Sequence, residues 1–175
     1  LVLATIDLGS AGGLAQGDTI SITGDDFTKA LTTLVGLTGL LRVNTLSLTT
    51  IYASESWPCS MLKVSDFLKV EDTSFTGNLT MASLESINQI YIQSNRYLTA
   101  ALFANLYMAT MTEIKIYNNN LIASVDVGSI GGGPEALTRL IILGPFTTAP
   151  LVEIKGLENL ETVDYFTLEY VGATI

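Results

Sequence analysis

Met111-Thr112-Glu113-Ile114-Lys115-Ile116-Tyr117-Asn118-Asn119-Asn120-Leu121 runs apolar, two variable, apolar, one variable, apolar, two variable, Asn, one variable, apolar. Ile87, Ile90, Ile92, Asn95 and Tyr97 repeat that spacing 24 residues earlier. The central pair recurs along the chain as Ile20/Ile22, Leu46/Leu48, Leu68/Val70, Ile90/Ile92, Ile114/Ile116, Leu140/Ile142 and Phe166/Leu168, at separations of 26, 22, 22, 24, 26 and 26 residues. Self-similarity at this period marks a coil laid down repeatedly. Strand side chains alternate with period two, so each pair shares one face of a short strand. Parallel stacking of the strands then builds one apolar ladder that no single coil could bury alone.

Other positions keep the phase with defects. Three residues before each pair stand Gly17, Val43, Ser65, Ile87, Met111, Leu137 and Val163, and six before stand Leu14, Leu40, Leu62, Leu84, Met108, Pro134 and Leu160. Gly17, Ser65 and Pro134 break the pattern, which makes the first and third coils the least regular. In the return segments, Phe27, Leu31, Leu34 and Leu37, and again Leu98, Leu102, Phe103 and Leu106, recur at three- and four-residue spacing and predict one or two helical turns. Residues 150–156 fit extended or helical backbone equally. Gly9–Gly13 and Gly128–Pro134 read as surface connections where coil length varies.

The motif resembles a degenerate leucine-rich repeat. Leu84-Glu85-Ser86-Ile87-Asn88-Gln89-Ile90-Tyr91-Ile92-Gln93-Ser94-Asn95 and Leu157-Glu158-Asn159-Leu160-Glu161-Thr162-Val163-Asp164-Tyr165-Phe166-Thr167-Leu168 are similar to bacterial cell-surface leucine-rich repeat proteins and receptor L domains. The resemblance implies an α/β solenoid: an irregular right-handed coil with a parallel sheet of about seven short strands, forming a single domain over residues 1–175. It also implies a non-catalytic adhesion or ligand-binding module on a secreted or surface-anchored protein. The family asparagine stands at Asn95 and Asn119, whereas Asp25, Ile51, Thr73, Pro145 and Val171 replace it elsewhere.

Composition narrows the function. The 175 residues carry 8 Lys+Arg against 17 Asp+Glu, a formal net charge of −9, and no His. That balance repels phosphate backbones and argues against nucleic acid. Lacking His, the chain has neither the commonest general acid/base nor the commonest metal ligand. Only 14% of residues are charged, well below the roughly 25% of an average soluble domain, so much of the chain must be covered. Cys59 is the single cysteine, expected buried and inert. No stretch reaches 18 apolar residues, so no membrane span is expected. The opening Leu1-Val2-Leu3-Ala4 lacks an initiator Met and a basic leader, and reads as a mature or excised fragment.

Residues between and flanking the inward pairs point outward. In the middle and later coils they include Phe67, Lys69, Tyr91, Glu113, Lys115, Tyr117, Arg139, Tyr165 and Glu169, the candidate recognition surface. Aromatics and Arg supply large contact area with polar handles; the competing reading is that they make cross-strand contacts and solubilise the sheet. Leu140-Ile141-Ile142-Leu143 lacks alternation, so both faces of that strand are expected to be covered, with the Gly128–Pro134 segment the nearest cover.

Catalytic motifs are sparse. Ser60-Met61-Leu62-Lys63 has the Ser-x-x-Lys spacing without the companion motifs of serine beta-lactamases. Acidic groups at Asp25/Asp26, Asp66/Glu71/Asp72 and Glu153/Glu158/Glu161/Asp164 keep polysaccharide chemistry open only if two converge. Asn78-Leu79-Thr80 is an N-glycosylation sequon, meaningful in a eukaryotic secretory route. Trp57 is expected to pack between coils. The expectation is a recognition module for a protein or glycan at the cell surface, not an enzyme, with no cofactor and no metal. A flanking domain or self-association could cap its ends; a structural spacer is the main alternative, and a polysaccharide-active enzyme the lesser one.

Overall fold

The computed structural model describes residues 5–7, 16–24, 33–35, 42–52, 56–57, 59, 62–144, 151–169 and 171–174. They hold fourteen strands: β1 (Thr5–Asp7), β2 (Gln16–Thr23), β3 (Thr33–Val35), β4 (Arg42–Thr49), β5 (Lys63–Glu71), β6 (Thr76–Thr80), β7 (Gln89–Gln93), β8 (Tyr97–Leu102), β9 (Tyr107–Tyr117), β10 (Ser124–Asp126), β11 (Gly133–Leu143), β12 (Leu151–Lys155), β13 (Thr162–Glu169) and β14 (Val171–Thr174). The larger sheet has seven strands in the order β13-β11-β9-β7-β5-β4-β2, a second has five in the order β14-β12-β10-β8-β6, and β1 pairs with β3. Every pairing is parallel.

This is an all-parallel β-solenoid. Among the described residues there is no helix, so the expected α/β class does not hold. The likeness to leucine-rich repeats and receptor L domains falls with it, since a leucine-rich repeat returns each coil through a helix or 3₁₀ turn, whereas here the return is a second strand. Leu98 and Leu102 lie in β8, and Phe103 and Leu106 close a tight turn by the 3.0 Å bond from Leu106 N–H to Phe103 C=O. The same closure joins Leu62 to Cys59, Leu84 to Met81 and Leu160 to Leu157. A turn with an apolar residue at each end mimics helical spacing in sequence. Leu34 lies in β3, and residues 151–155 are extended as β12; Phe27, Leu31, Leu37 and Pro150 lie outside the described residues.

In the larger sheet the seven apolar pairs are aligned Cα to Cα from Ile20/Ile22 to Phe166/Leu168. From Leu46 to Ile142 every member is 0–1% exposed, each contributing about 1.5–3 kcal/mol of burial. In the second sheet Leu79, Ala101, Val125 and Ile154 form the matching inner row. The defect at Ser65 is a β-bulge: Val43 pairs with Val64 and Thr45 with Phe67, so Ser65 and Asp66 together oppose Asn44. Buried Val64 takes the core position, and the Ser65 hydroxyl donates outside to Asn44 Oδ1 at 2.8 Å.

Between the two strands of a coil the chain turns a corner in left-handed backbone. Thr50, Asp72, Ser94 and Asn118 occupy this place in four successive coils at φ 50–56°. The N–H groups of the first three continue the coil-to-coil ladder, Thr50 to Glu71 C=O and Asp72 to Gln93 C=O at 3.0 Å and Ser94 to Tyr117 C=O at 3.3 Å. The glycine-rich joint after β10 is more than a surface connection: Gly128, Gly133 and Gly156 are buried and face one another, and a Cβ on Gly133 would lie 1.9 Å from Gly156 O. Gly9–Gly13 lies outside the described residues.

Candidate recognition face

The outer face of the larger sheet presents three rows in register. Thr45, Phe67, Gln89, Glu113, Arg139 and Tyr165 form one; Ser47, Lys69, Tyr91, Lys115, Ile141 and Thr167 the next; Thr49, Glu71, Gln93, Tyr117, Leu143 and Glu169 the third. All nine sequence-selected residues therefore share one face, because seven strands keep one phase.

Their side chains join across five strands. The edge of Phe67 meets the Tyr91 ring at 5.2 Å between centroids and 78°, a geometry that matches ring quadrupoles. Tyr91 Oη donates to Glu113 Oε2 and accepts from Lys115 Nζ at 3.1 Å. Glu113 Oε1 lies 2.9 Å from Lys115 Nζ and 3.1 Å from Arg139 Nη1. The Arg139 guanidinium continues onto the Tyr165 ring at 5.5 Å, and Lys115 Nζ stands 4.6 Å over the Tyr91 ring. Apart from this chain, Lys69 pairs with Glu71 at 2.5 Å and Tyr117 Oη donates to Gln93 Oε1.

Electrostatics fix the charge states at the centre. Burial pushes the Tyr91 phenol up, and its hydrogen bond to Glu113 adds to that, so it stays a neutral donor. Burial alone would raise the Glu113 carboxyl, but the Tyr91 and Lys115 hydrogen bonds and the Lys115 and Arg139 charges outweigh it and hold it below the usual carboxylate range. Burial opposes the Lys115 ammonium, yet Glu113 and Tyr91 raise it above its ordinary value. Each shift favours the group's ordinary neutral-pH form: Tyr91 neutral, Glu113 anionic and Lys115 cationic.

Exposure grades along the sheet. Glu113 is buried; Phe67, Lys69, Tyr91, Lys115 and Tyr117 are half-buried against neighbouring strands; Arg139, Tyr165 and Glu169 are exposed. Ile141 and Leu143 are half-buried beside them. The Gly128–Pro134 segment bonds to the preceding coil instead, through Ile130 and Gly131 N–H to Ala104 C=O and Gly133 N–H to Leu106 C=O.

No family model matches the chain, and no curated protein and no solved structure is significantly similar to it. What the face can do follows from its geometry.

The acidic groups among the described residues are each placed by their neighbours. Asp66 accepts from Asn88, Asp72 from Tyr52, and Glu153 pairs with Lys155. Glu135, Glu158 and Glu161 line one groove of about 260 Å³ with Asn159 and Leu160, with no ring among the lining residues. A wider open groove, about 600 Å³, runs past Ser124, Val152, Glu153 and Lys155 on the second sheet. Among the described residues no group of three or more His, Cys, Asp or Glu is placed to hold a metal ion, and no helix is long and apolar enough to cross a membrane. Such a solenoid is consistent with a binding or scaffold role in general. Ser60, Asp25 and Asp26 lie outside the described residues, and Lys63 pairs with Glu85 at 3.0 Å.

Two features escaped the sequence reading. The corner row reads Gly24, Thr50, Asp72, Ser94, Asn118 and Gly144, mostly turn formers two residues past each apolar pair, which could have been found. Asp126 is a buried carboxylate whose Oδ1 accepts the N–H groups of Gly128 and Ser129 at 3.1 and 2.8 Å, shaping the glycine corner; its sequence context gives no such signal.

Proposed function

We propose that this chain is a non-catalytic recognition module of an extracellular or cell-surface protein and binds a macromolecular partner through the outer face of its seven-stranded sheet. The observation that carries this is the continuous chain of contacts from Phe67 through Tyr91, Glu113, Lys115 and Arg139 to Tyr165. It pre-organises long side chains before any partner arrives, which lowers the entropy lost on binding. At its open end Ile141, Leu143 and Tyr165 give an apolar centre, and Arg139 and Glu169 a charged rim, the anatomy of a protein contact. A protein is favoured over a glycan because the rings a sugar would stack on are engaged: Tyr91 by Lys115 and Phe67, Tyr165 by Arg139.

The test screens the purified protein against arrayed extracellular protein domains and glycans, then repeats any interaction with variants. Ile141→Asp and Tyr165→Ala should each weaken binding at least about tenfold, as interface anchors do, while Thr99→Ala on the second sheet leaves it unchanged. Binding indifferent to both face variants would refute the assignment.

A spacer role has one observation in its favour. Phe166, at a core position of the last strand in the larger sheet, is 52% exposed, where its neighbour Leu140 is fully covered. A unit stacked on β13 would cover it; in that case Phe166→Asp disrupts assembly and Tyr165→Ala does not.

A further inference from the structure

The sequon Asn78-Leu79-Thr80 plays no part in the recognition face, and the fold places it where a large polar modification fits. It lies in β6, the terminal strand of the five-stranded sheet. Strand alternation sends Leu79 into the core, where it is fully buried, and puts Asn78 and Thr80 together on the outer side. Asn78 is exposed and follows Gly77, whose φ of 74° and open surroundings mark a bulge, with the β6–β8 register shifting between the two residues. The side-chain amide is half anchored: Asn78 Oδ1 accepts from Thr99 Oγ1 at 2.9 Å, and among the described residues Nδ2 has no hydrogen-bond partner. The atom that a glycosyl group would join thus belongs to an exposed side chain whose oxygen, and not its nitrogen, meets the neighbouring strand.

We infer that Asn78 is an N-glycan acceptor and that its glycan covers the outer face of the second sheet, leaving recognition to the first. The donor is a lipid-pyrophosphate-linked oligosaccharide. A bond forms between sugar C1 and Asn78 Nδ2, the C1–O bond to pyrophosphate breaks, the lipid pyrophosphate leaves with the electron pair, and the amide proton passes to the transferase. The Thr80 hydroxyl completes the acceptor motif. Transfer precedes folding on the nascent chain, so the fold's contribution is to leave the modified side chain outside.

The inference rests on the extracellular placement proposed above. Its test supplies the export route: the full chain is translated behind a cleavable secretory leader with microsomal membranes, and translocation is scored separately by protease protection. The translocated chain should carry one oligosaccharide, removed by an amidase that converts Asn78 to Asp. Asn78→Gln and Thr80→Ala should abolish it and Thr80→Ser retain it. The glycosylated protein should then match Asn78→Gln in melting temperature and protease resistance. A translocated chain without sugar overturns the acceptor, and a glycosylated chain that loses protease resistance overturns the glycan's place on the outer face of the folded second sheet. Either result leaves the recognition face standing, because no residue of that face is altered.

Discussion

Oδ1 of Asn119 accepts two hydrogen bonds from Asn95 one coil earlier, from its backbone N–H and from its side-chain amide, each at 3.0 Å. Asn95 repeats the arrangement on the coil before, its own Oδ1 accepting from Thr73 N–H at 3.1 Å and Thr73 Oγ1 at 2.6 Å. Each amide also donates to a strand carbonyl of the preceding coil, Asn119 to Ile92 at 2.9 Å and Asn95 to Val70 at 3.0 Å. Both side chains are buried, so the left-handed corner is satisfied from inside. Asn95→Leu keeps the branched heavy-atom outline and removes the partners of the Thr73 N–H and Val70 C=O. It should cost about 1–3 kcal/mol, the range for unsatisfied buried polar groups, measured by urea denaturation. A neutral result would show that this ladder contributes nothing beyond shape.

The same corner explains what could be read from sequence and what could not. Core strands were legible because Ile114/Ile116 and their counterparts are apolar and alternate; their spacing sets the register directly. The asparagine row looked defective at Ile51 and Thr73, yet both are buried in the same place. Ile51 fills it with hydrocarbon and Thr73 caps the ladder with its hydroxyl. The return strands were hidden because β8 buries Ala100 and Ala101 in succession at its bulged pairing with β6, and because turns such as Phe103–Leu106 carry apolar residues three apart. Local spacing cannot separate such a turn from a helix; only pairing with the neighbouring coil does. The outer face was legible as a set, whereas the contacts binding Glu113 between Lys115 and Arg139 depend on strand neighbours that spacing alone does not weigh.

Thr50 holds φ 56° at its corner, a conformation costly for a β-branched residue. Thr50→Gly should therefore stabilise the fold by about 1 kcal/mol, by removing the Cβ strain against a smaller gain in unfolded-chain entropy. Gly24 follows β2 at the matching position of the adjacent coil, and a Cβ there would lie 2.0 Å from Thr50 O. Gly24→Ala should destabilise. Thermal melts of the two variants must move in opposite directions; a shared direction would contradict the corner geometry.

Charge at Glu113 should give the molecule a specific pH signature. Its carboxyl is held below its ordinary value, so its stabilising contribution is present above the unfolded pKa, about 4.3, and is lost as pH falls through the folded value. Lys115 and Tyr91 are both raised; their contributions are full below the unfolded values near about 10 and are lost as pH rises through the folded ones. Glu113→Gln leaves Lys115 and Arg139 without their shared counter-charge and should cost about 1–3 kcal/mol at pH 7. The gap between wild type and variant should close below about pH 4. A gap that persists in acid would mean that the loss arises from packing.

Among the described residues Cys59 begins the first of the turns that recur at Met81, Phe103 and Leu157, and the recurrence makes it a core position that happens to hold sulfur. It is buried, and burial pushes its thiol up to about 12, so almost no thiolate exists at neutral pH. Thiolate is the attacking species in alkylation and disulfide exchange. Folded protein at pH 8 should react with iodoacetamide only through transient opening, and in 6 M urea at the rate of an ordinary exposed thiol near its unperturbed pKa of about 8.5. Cys59→Val should preserve the turn, because apolar volume is what the position requires, whereas Cys59→Ser would bury a hydroxyl and should cost about 1–3 kcal/mol. Fast labelling of the native protein, or a serine variant as stable as the valine one, would mean that the thiol faces solvent and that its place in the turn row is incidental.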